Sequence, residues 1–375
     1  MAKVEFYCHA LQEEDIAAVA EVLRSVFLTT GPKTGAFEKA FAEYLGVKHV
    51  IGVTSCTAGL HLSMQALDIG PGDEVITTPM TFIATANTIL HCGAKPVFVD
   101  VEPATGNIDI DRIAAAITER TKAVMPVHLY GLMADMRKLD ALCKQHNLYI
   151  LEDAAHAAEA VRDGARPGTL GTTCSFSFYA TKNMTCGEGG AISTNDPALN
   201  EKLRWLRLHG MSKSAADRYT GTYQHWDMIG LGFKANLNDI QAALLLGQLP
   251  RLEAQLQRRE EIARRYETAF CKMQNVRFPR VVPGAVSARH LSTIWVPPER
   301  RDEILVALQN RGIGVAVNFR AIHLLTYYRE NFGFKPGDFP IAERIGNSTI
   351  TLPLYPGLSD ESVDTVIAAV QEVVG

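Results

Sequence analysis

The chain of 375 residues lacks any excess of basic charge: 37 Lys and Arg stand against 41 Asp and Glu, a formal net charge of −4. A dedicated grip on nucleic-acid phosphates draws on such an excess, so that class of function is excluded. Long hydrophobic runs are missing too, with nothing near the ~18 apolar residues of a membrane span. Residues 1–11 contain no basic segment followed by an apolar core, so no secretory signal is read there. Cysteine is sparse and unpaired. The seven thiols are scattered, at Cys8, Cys56, Cys92, Cys143, Cys174, Cys186 and Cys271, with no C-x-x-C spacing. That excludes a disulfide framework and a zinc-finger-like site, and it points to a reducing, cytoplasmic compartment. The common fingerprints are absent as well: no G-x-G-x-x-G after a strand, no P-loop, no H-E-x-x-H and no G-x-S-x-G. Nicotinamide enzymes, P-loop NTPases, zincins and α/β-hydrolases all lose ground.

What is present is an ordinary globular balance, 47% hydrophobic and 21% charged, on a length that suits roughly two domains. From His49 onward, short apolar runs alternate with helical patterns. Strands are predicted at His49–Thr54, Glu74–Thr78, Lys95–Val101, Lys122–Leu129 and Tyr149–Asp153. Helices are predicted between them, over Thr57–Ile69, Phe82–Leu90, Asp111–Ile117 and Leu139–Gln145. This alternation predicts an α/β fold with a mostly parallel sheet covered by helices. Ligands in such sheets sit beyond the carboxyl ends of the strands. The pattern changes after about Asn236. A long helical stretch, Asp239–Met273, should kink or break at Pro250. Strands at Leu291–Val296 and Val315–Phe319 and helices at Arg301–Arg311 and Asp360–Val374 then read as a smaller α+β domain. The division is placed at residues 1–250 and 251–375.

Three segments could carry chemistry. In CSFSFYATKNMTCGEGG (174–190) a strand-like apolar run leads to Lys182 and a glycine-rich turn. A partly desolvated amine there has a lowered pKa and is freed as a nucleophile. The plain alternative is a surface lysine whose stem covers apolar neighbours. In YILEDAAHA (149–157) a strand ends in Glu152 and Asp153, with His156 close behind. An acid at that edge is a common site geometry, but a helix N-cap reads equally well. In SCTAGL (55–60), Ser55 or Thr57 could cap a helix whose first N–H groups form an anion site, although most such caps bind nothing. Together the three are more specific than any one. Pyridoxal phosphate (PLP) needs an amine for its aldehyde, a carboxylate for its ring nitrogen and donors for its phosphate. Asp153 lies 29 residues before Lys182.

In order and spacing these segments resemble the DegT/DnrJ/EryC1/StrS family of nucleotide-sugar aminotransferases, and the likeness runs over essentially the whole length. It is carried also by residues 31–62, by MTFIATANTILHCGAKPVFVDV (80–101), PVHLYGLMADM (126–136) and GFKANLNDIQAALLLGQL (232–249), and by residues 339–361. KNMTCGEGG, GFKANLNDIQAA and VNFRAIH with TYYRE look most like the branch that makes UDP-4-amino-4-deoxy-L-arabinose. The resemblance implies the fold of type I PLP enzymes and a set of roles. Lys182 would carry the cofactor and shuttle the proton. Asp153 would keep the ring nitrogen protonated, and His156 would lie beside the ring hydroxyl. Ser177, Thr57 and the Ala58 backbone would bind the phosphate. Phe82 would cover the ring face, with core packing as its alternative. Asn236 would reach a neighbour's phosphate across a homodimer. His209, Arg320, His323 and Tyr328 fall in segments that line the sugar-nucleotide side. The implied reaction moves an amino group from L-glutamate to a nucleotide-linked 4-keto sugar and releases 2-oxoglutarate. Amination at C3, a dTDP or GDP carrier, or a PLP-binding regulator without turnover are the alternatives. A lysine retained at 182, where dehydratase-like relatives have histidine, favours transamination.

Overall fold

The apolar runs that follow His49 pair into one seven-stranded sheet. The computed structural model describes residues 3–213 and 225–375. The strands of this sheet are β1 (His49–Val53), β2 (Glu74–Thr77), β3 (Lys95–Phe98), β4 (Thr121–Val124), β5 (Tyr149–Asp153), β7 (Thr173–Ser177) and β8 (Gly190–Thr194). Their order is β1-β8-β7-β5-β4-β2-β3. All neighbours pair in parallel except β8, which runs against both β1 and β7. A short strand β6 (Val161–Arg162) lies outside the sheet and pairs with β9 (Ala285–Val286). Val50, Ile51, Val53, Val75, Ile76, Val124 and Ile150 are all buried, as expected of strands covered on both faces.

Two helices precede the first predicted strand, α1 (Glu13–Leu23) and α2 (Pro32–Leu45). Local chemistry sets the limits of α2: Pro32 opens it, and Gly46 closes it at φ +73°, a conformation that costs glycine nothing. Ser55 caps α3 (Cys56–Ala66) by accepting from Ala58 N–H. The helices α4 (Ala84–His91), α5 (Ile110–Ile113), α6 (Met136–His146) and α7 (Pro197–Leu206) follow in the same half. The predicted long helix is broken as expected. A 3-10 turn, Leu249–Arg251, contains Pro250 and separates α8 (Asp239–Gln248) from α9 (Leu252–Phe270).

A second core gathers Ile262, Tyr266 and Phe270 from α9 with residues of β10 (Ser292–Trp295), α10 (Arg301–Asn310), β11 (Thr349–Leu352) and α13 (Asp360–Val374). Val4 joins it and pairs with Ile313. The helices α11 (Thr326–Phe332) and α12 (Pro340–Ser348) lie between α10 and β11 in the chain. The strand predicted at Val315–Phe319 does not form. Ala316 alone bridges to Thr351, and the segment then leaves β11 so that Asn318 and Phe319 reach the wall of a cavity. No helix among the described residues is long and apolar enough to cross a membrane.

Candidate active site

Four loops leave the sheet at one edge: those after β1, β2 and β5, and the connection from β7 to β8. They meet the second core around a cavity of about 510 Å³. Ser55, Cys56 and Thr57 come from the first loop, Phe82 from the second, Asp153 and His156 from the third. Ser177, Tyr179 and Lys182 come from the fourth, with Phe6, Tyr7, His290, Phe319 and Leu354 opposite.

Strand alternation resolves the acidic pair that ends β5. Successive side chains point to opposite faces, so Glu152 turns away from the cavity. It accepts from Gly168 and Gly171 N–H and lies 2.8 Å from His128 Nε2. Asp153 turns in. Its Oδ2 accepts from Thr85 Oγ1 at 2.8 Å, and its Oδ1 from Ala155 N–H at 3.1 Å and from Cys56 Sγ at 3.8 Å. Cys56 is therefore a small buried side chain, as its size suggests, and also a partner of the carboxylate. Burial and the Asp153 charge push its thiol well above the ordinary range, so it stays protonated.

Lys182 is not at a strand end. It stands five residues past Ser177 in the loop between β7 and β8, with its backbone N–H bonded to Tyr179 O and its carbonyl accepting from Tyr7 Oη at 3.0 Å. The glycines after it let the loop close. Gly187 has φ +81°, and a Cβ on Gly190 would collide with the Ser55–Cys56 backbone, so β8 can lie against the start of α3 only as glycine. Burial lowers the Lys182 amine to about 8, with Cys56 and Asp153 pulling the other way. Burial and the Lys182 charge hold His156 and His290 well below the usual imidazole range, so both rings are neutral. His156 stacks on Phe319 with ring centroids 5.8 Å apart and lies 4.5 Å from His290.

The remaining candidates divide. Thr57, Phe82 and Ser177 line the cavity. Phe82 is 55% exposed, so core packing does not account for it. Ala58 N–H is already taken by Ser55 Oγ, which leaves it no free donor. Asn236 is buried beside β1, donates to Thr30 Oγ1 at 2.6 Å and does not reach its own chain's cavity. Three of the four sugar-side candidates lie away from it. His209 is exposed, with its N–H bonded to Phe233 O. His323 is wholly buried, with Nε2 3.0 Å from Glu343 and its ring against Phe339. Tyr328 is packed among Phe98 and Phe332, and its hydroxyl donates to Asn87 Oδ1 at 2.7 Å. Arg320 is exposed and adjoins Phe319 but is not in the cavity wall. His290, Tyr7, Thr85 and Phe319 carry no local signal in the sequence; His290 is 108 positions from the lysine it meets.

The donor set fits PLP. A buried amine, a carboxylate and the hydroxyl groups of Ser55, Thr57 and Ser177 converge on one cavity. His156 Nδ1 is buried there without a hydrogen-bond partner among the described residues, as a group awaiting a ligand would be.

Residues 9–371 match the model of the DegT/DnrJ/EryC1/StrS aminotransferase family. The spore coat polysaccharide biosynthesis protein SpsC of Bacillus subtilis is 46% identical over 368 residues, covering 96% of this chain and 95% of that protein. Among solved structures, Helicobacter pylori PseC, an aminotransferase involved in the biosynthesis of pseudoaminic acid, superimposes with a TM-score of 0.93 at 33% identity, covering 100% of this chain and 99% of that one. Spr1654 of Streptococcus pneumoniae in its PLP form gives a TM-score of 0.91 at 33% identity, covering 100% of both. The chain belongs to the DegT/DnrJ/EryC1/StrS aminotransferase family and is a PLP-dependent sugar aminotransferase.

Proposed function

We propose that this aminotransferase moves the amino group of L-glutamate onto a nucleotide-linked 4-keto sugar. A UDP-4-keto-pentose or -hexose is the first choice, and the product serves a cell-surface glycan or a lipid A precursor. The observation that carries the chemistry is the convergence of the buried Lys182 amine and Asp153 on one cavity of about 510 Å³. The narrower substrate rests on the likeness of KNMTCGEGG, GFKANLNDIQAA and the VNFRAIH and TYYRE segments to the UDP-4-amino-4-deoxy-L-arabinose branch. Two relatives act in the same area of metabolism by name, SpsC in spore coat polysaccharide biosynthesis and PseC in the biosynthesis of pseudoaminic acid.

Lys182 Nζ would bind the cofactor's aldehyde, Asp153 its ring nitrogen, His156 its hydroxyl, and Ser177, Thr57 and Ser55 its phosphate. Bound there, PLP supplies an electron sink for the bond to the donor's α-hydrogen. The chain does the rest. Lys182 Nζ, poised near neutrality by burial, takes a proton from one carbon and returns it to another, which demands an amine that is neutral when it accepts. Tyr7 anchors the Lys182 backbone while the side chain moves. Phe82 and Phe319, with ring centroids 5.9 Å apart, form an apolar wall that limits water at the reacting carbons. Over a full cycle the donor amine and the sugar ketone exchange places, with no net gain or loss of electrons.

The test supplies PLP, L-glutamate and a panel of UDP-, dTDP- and GDP-linked 3- and 4-keto sugars, and reads products by mass. A 4-amino sugar from a UDP-linked ketone is expected, and none with Lys182→Ala. An amine at C3, or only on another nucleotide, would move the reading to that substrate. No amine from any member would overturn the nucleotide-sugar reading.

A further inference from the structure

His290 comes from the segment before β10, far from Lys182 in sequence, yet its Nε2 lies 3.4 Å from Lys182 Nζ. Its other ring nitrogen, Nδ1, lies 3.2 Å from Asn183 Oδ1. Which nitrogen holds the proton follows from the partners. Asn183 Nδ2 donates to Glu159 Oε2 at 3.1 Å and to Ala288 O at 2.9 Å. Both of those atoms accept, so the amide can face them only with its nitrogen, and its oxygen must face His290. An oxygen there can only accept, so Nδ1 donates. A neutral imidazole has one N–H, which leaves a lone pair on Nε2, directed at the lysine. Glu159 is itself held by Arg259, whose Nη2 donates to Oε1 at 2.6 Å, both side chains being essentially inaccessible to solvent.

We propose that His290 is a positioning residue for Lys182. Its tautomer is set by the buried series Arg259–Glu159–Asn183, and its bare Nε2 accepts a hydrogen bond from the lysine amine. With one N–H engaged, an amine at the end of a flexible four-carbon stem has a defined direction, and its remaining hydrogens and lone pair are left for the cavity. The charged or titratable groups that act on this amine are Asp153, Cys56, His156 and His290. Asp153 ends β5 and Cys56 opens α3, and His156 lies against the His290 ring. None of the others has a fixed lone pair within hydrogen-bond reach of Nζ in this structure. Burial, reinforced by the charges of Lys182 and Arg259, keeps the ring neutral.

This inference rests on Lys182 being the reactive amine. Its test therefore needs neither cofactor nor sugar, and its failure leaves the substrate assay unaffected. Cofactor-free protein is acetylated with limiting acetic anhydride across a pH series, and the Lys182 peptide is quantified by mass spectrometry. The wild-type midpoint is expected near 8. His290→Leu removes an acceptor that favours the ammonium form, so the midpoint falls by about one pH unit. His290→Gln restores an acceptor and brings the midpoint back toward the wild type. Asn183→Leu keeps the ring but frees its tautomer, so the midpoint shifts the same way by less. With PLP, glutamate and an accepted sugar, His290→Leu loses kcat by about tenfold with KM for glutamate little changed, and the Gln variant recovers most of it. Midpoints for His290→Leu and Asn183→Leu equal to the wild type, in proteins with a native circular-dichroism spectrum, would overturn the proposal. If His290→Leu does not fold, the Asn183→Leu midpoint decides alone.

Discussion

At the scale of single residues, the site works by placing ordinary groups in unusual surroundings. Asp153 is held by a threonine hydroxyl, a backbone N–H and a thiol, and among the described residues no arginine or lysine is hydrogen-bonded to it. In the proposed role, its charge would be left for the cofactor's ring nitrogen. Asp153→Asn keeps the shape and the acceptor at one end but removes that charge. Its kcat is expected to fall by about 10²-fold while the far-UV spectrum and thermal midpoint stay close to wild type. A steady-state assay beside a melting curve checks both, and activity near wild type would argue against the role. An acidic strand end and the lysine are legible in the sequence, because Glu152 and Asp153 close one apolar run and Lys182 follows another by a few positions. His290, Tyr7 and Thr85 are not, because each meets its partner only through a long-range contact.

At the scale of elements, the loops are held in place by buried carboxylates that bind backbone. Asp239, at the first turn of α8, accepts from Gly31, Lys33 and Thr34 N–H and from Thr34 Oγ1, and it is 1% exposed. Glu38 in α2 accepts from Gly52 N–H in β1 and from Arg204 and Arg207. These contacts tie α2 to β1 and α8, close to where β1 delivers Ser55 to the cavity. Asp239→Ala strands three N–H groups at the start of α2, so stability should fall by at least ~2 kcal/mol, read as a lower urea midpoint with an unchanged slope. A midpoint within error of wild type would show that solvent replaces the carboxylate. Most strands and several helices of the sheet half follow from periodicity. The failed strand at Val315–Phe319 shows the limit of that method. An apolar run can serve a strand or a cavity wall, and periodicity does not tell them apart.

At the scale of the whole molecule, the cavity lies where the sheet edge meets the second core, and the chain joins them through α8, the Pro250 turn and α9. Asn236 stands outside its own cavity, bonded to Thr30. We propose that two copies of this chain share their sites, with Asn236 of each serving the other's cofactor phosphate. Lys182→Ala and Asn236→Ala would each be inactive alone. When the two are unfolded and refolded together, activity should return, because a mixed pair contains one intact site. No recovery, in a mixture shown by sedimentation to contain dimers, would count against a shared site.

The sequence by itself determined the class of fold, the apolar runs of the sheet half, and an acidic strand end at 152–153 followed by Lys182 as the segments of interest. It could do so because periodicity, the acidic end of an apolar run and a lysine beside a glycine-rich turn are local properties. It also carried the family, through segments whose order and spacing persist along the chain. Only the tertiary structure decided which of two adjacent acids faces the site, since strand alternation has a phase that the sequence does not state. It also moved His209, His323 and Tyr328 away from the cavity and brought His290 into it. Those placements depend on how the second core packs against the sheet edge, and that packing is the sum of contacts between residues far apart in the chain.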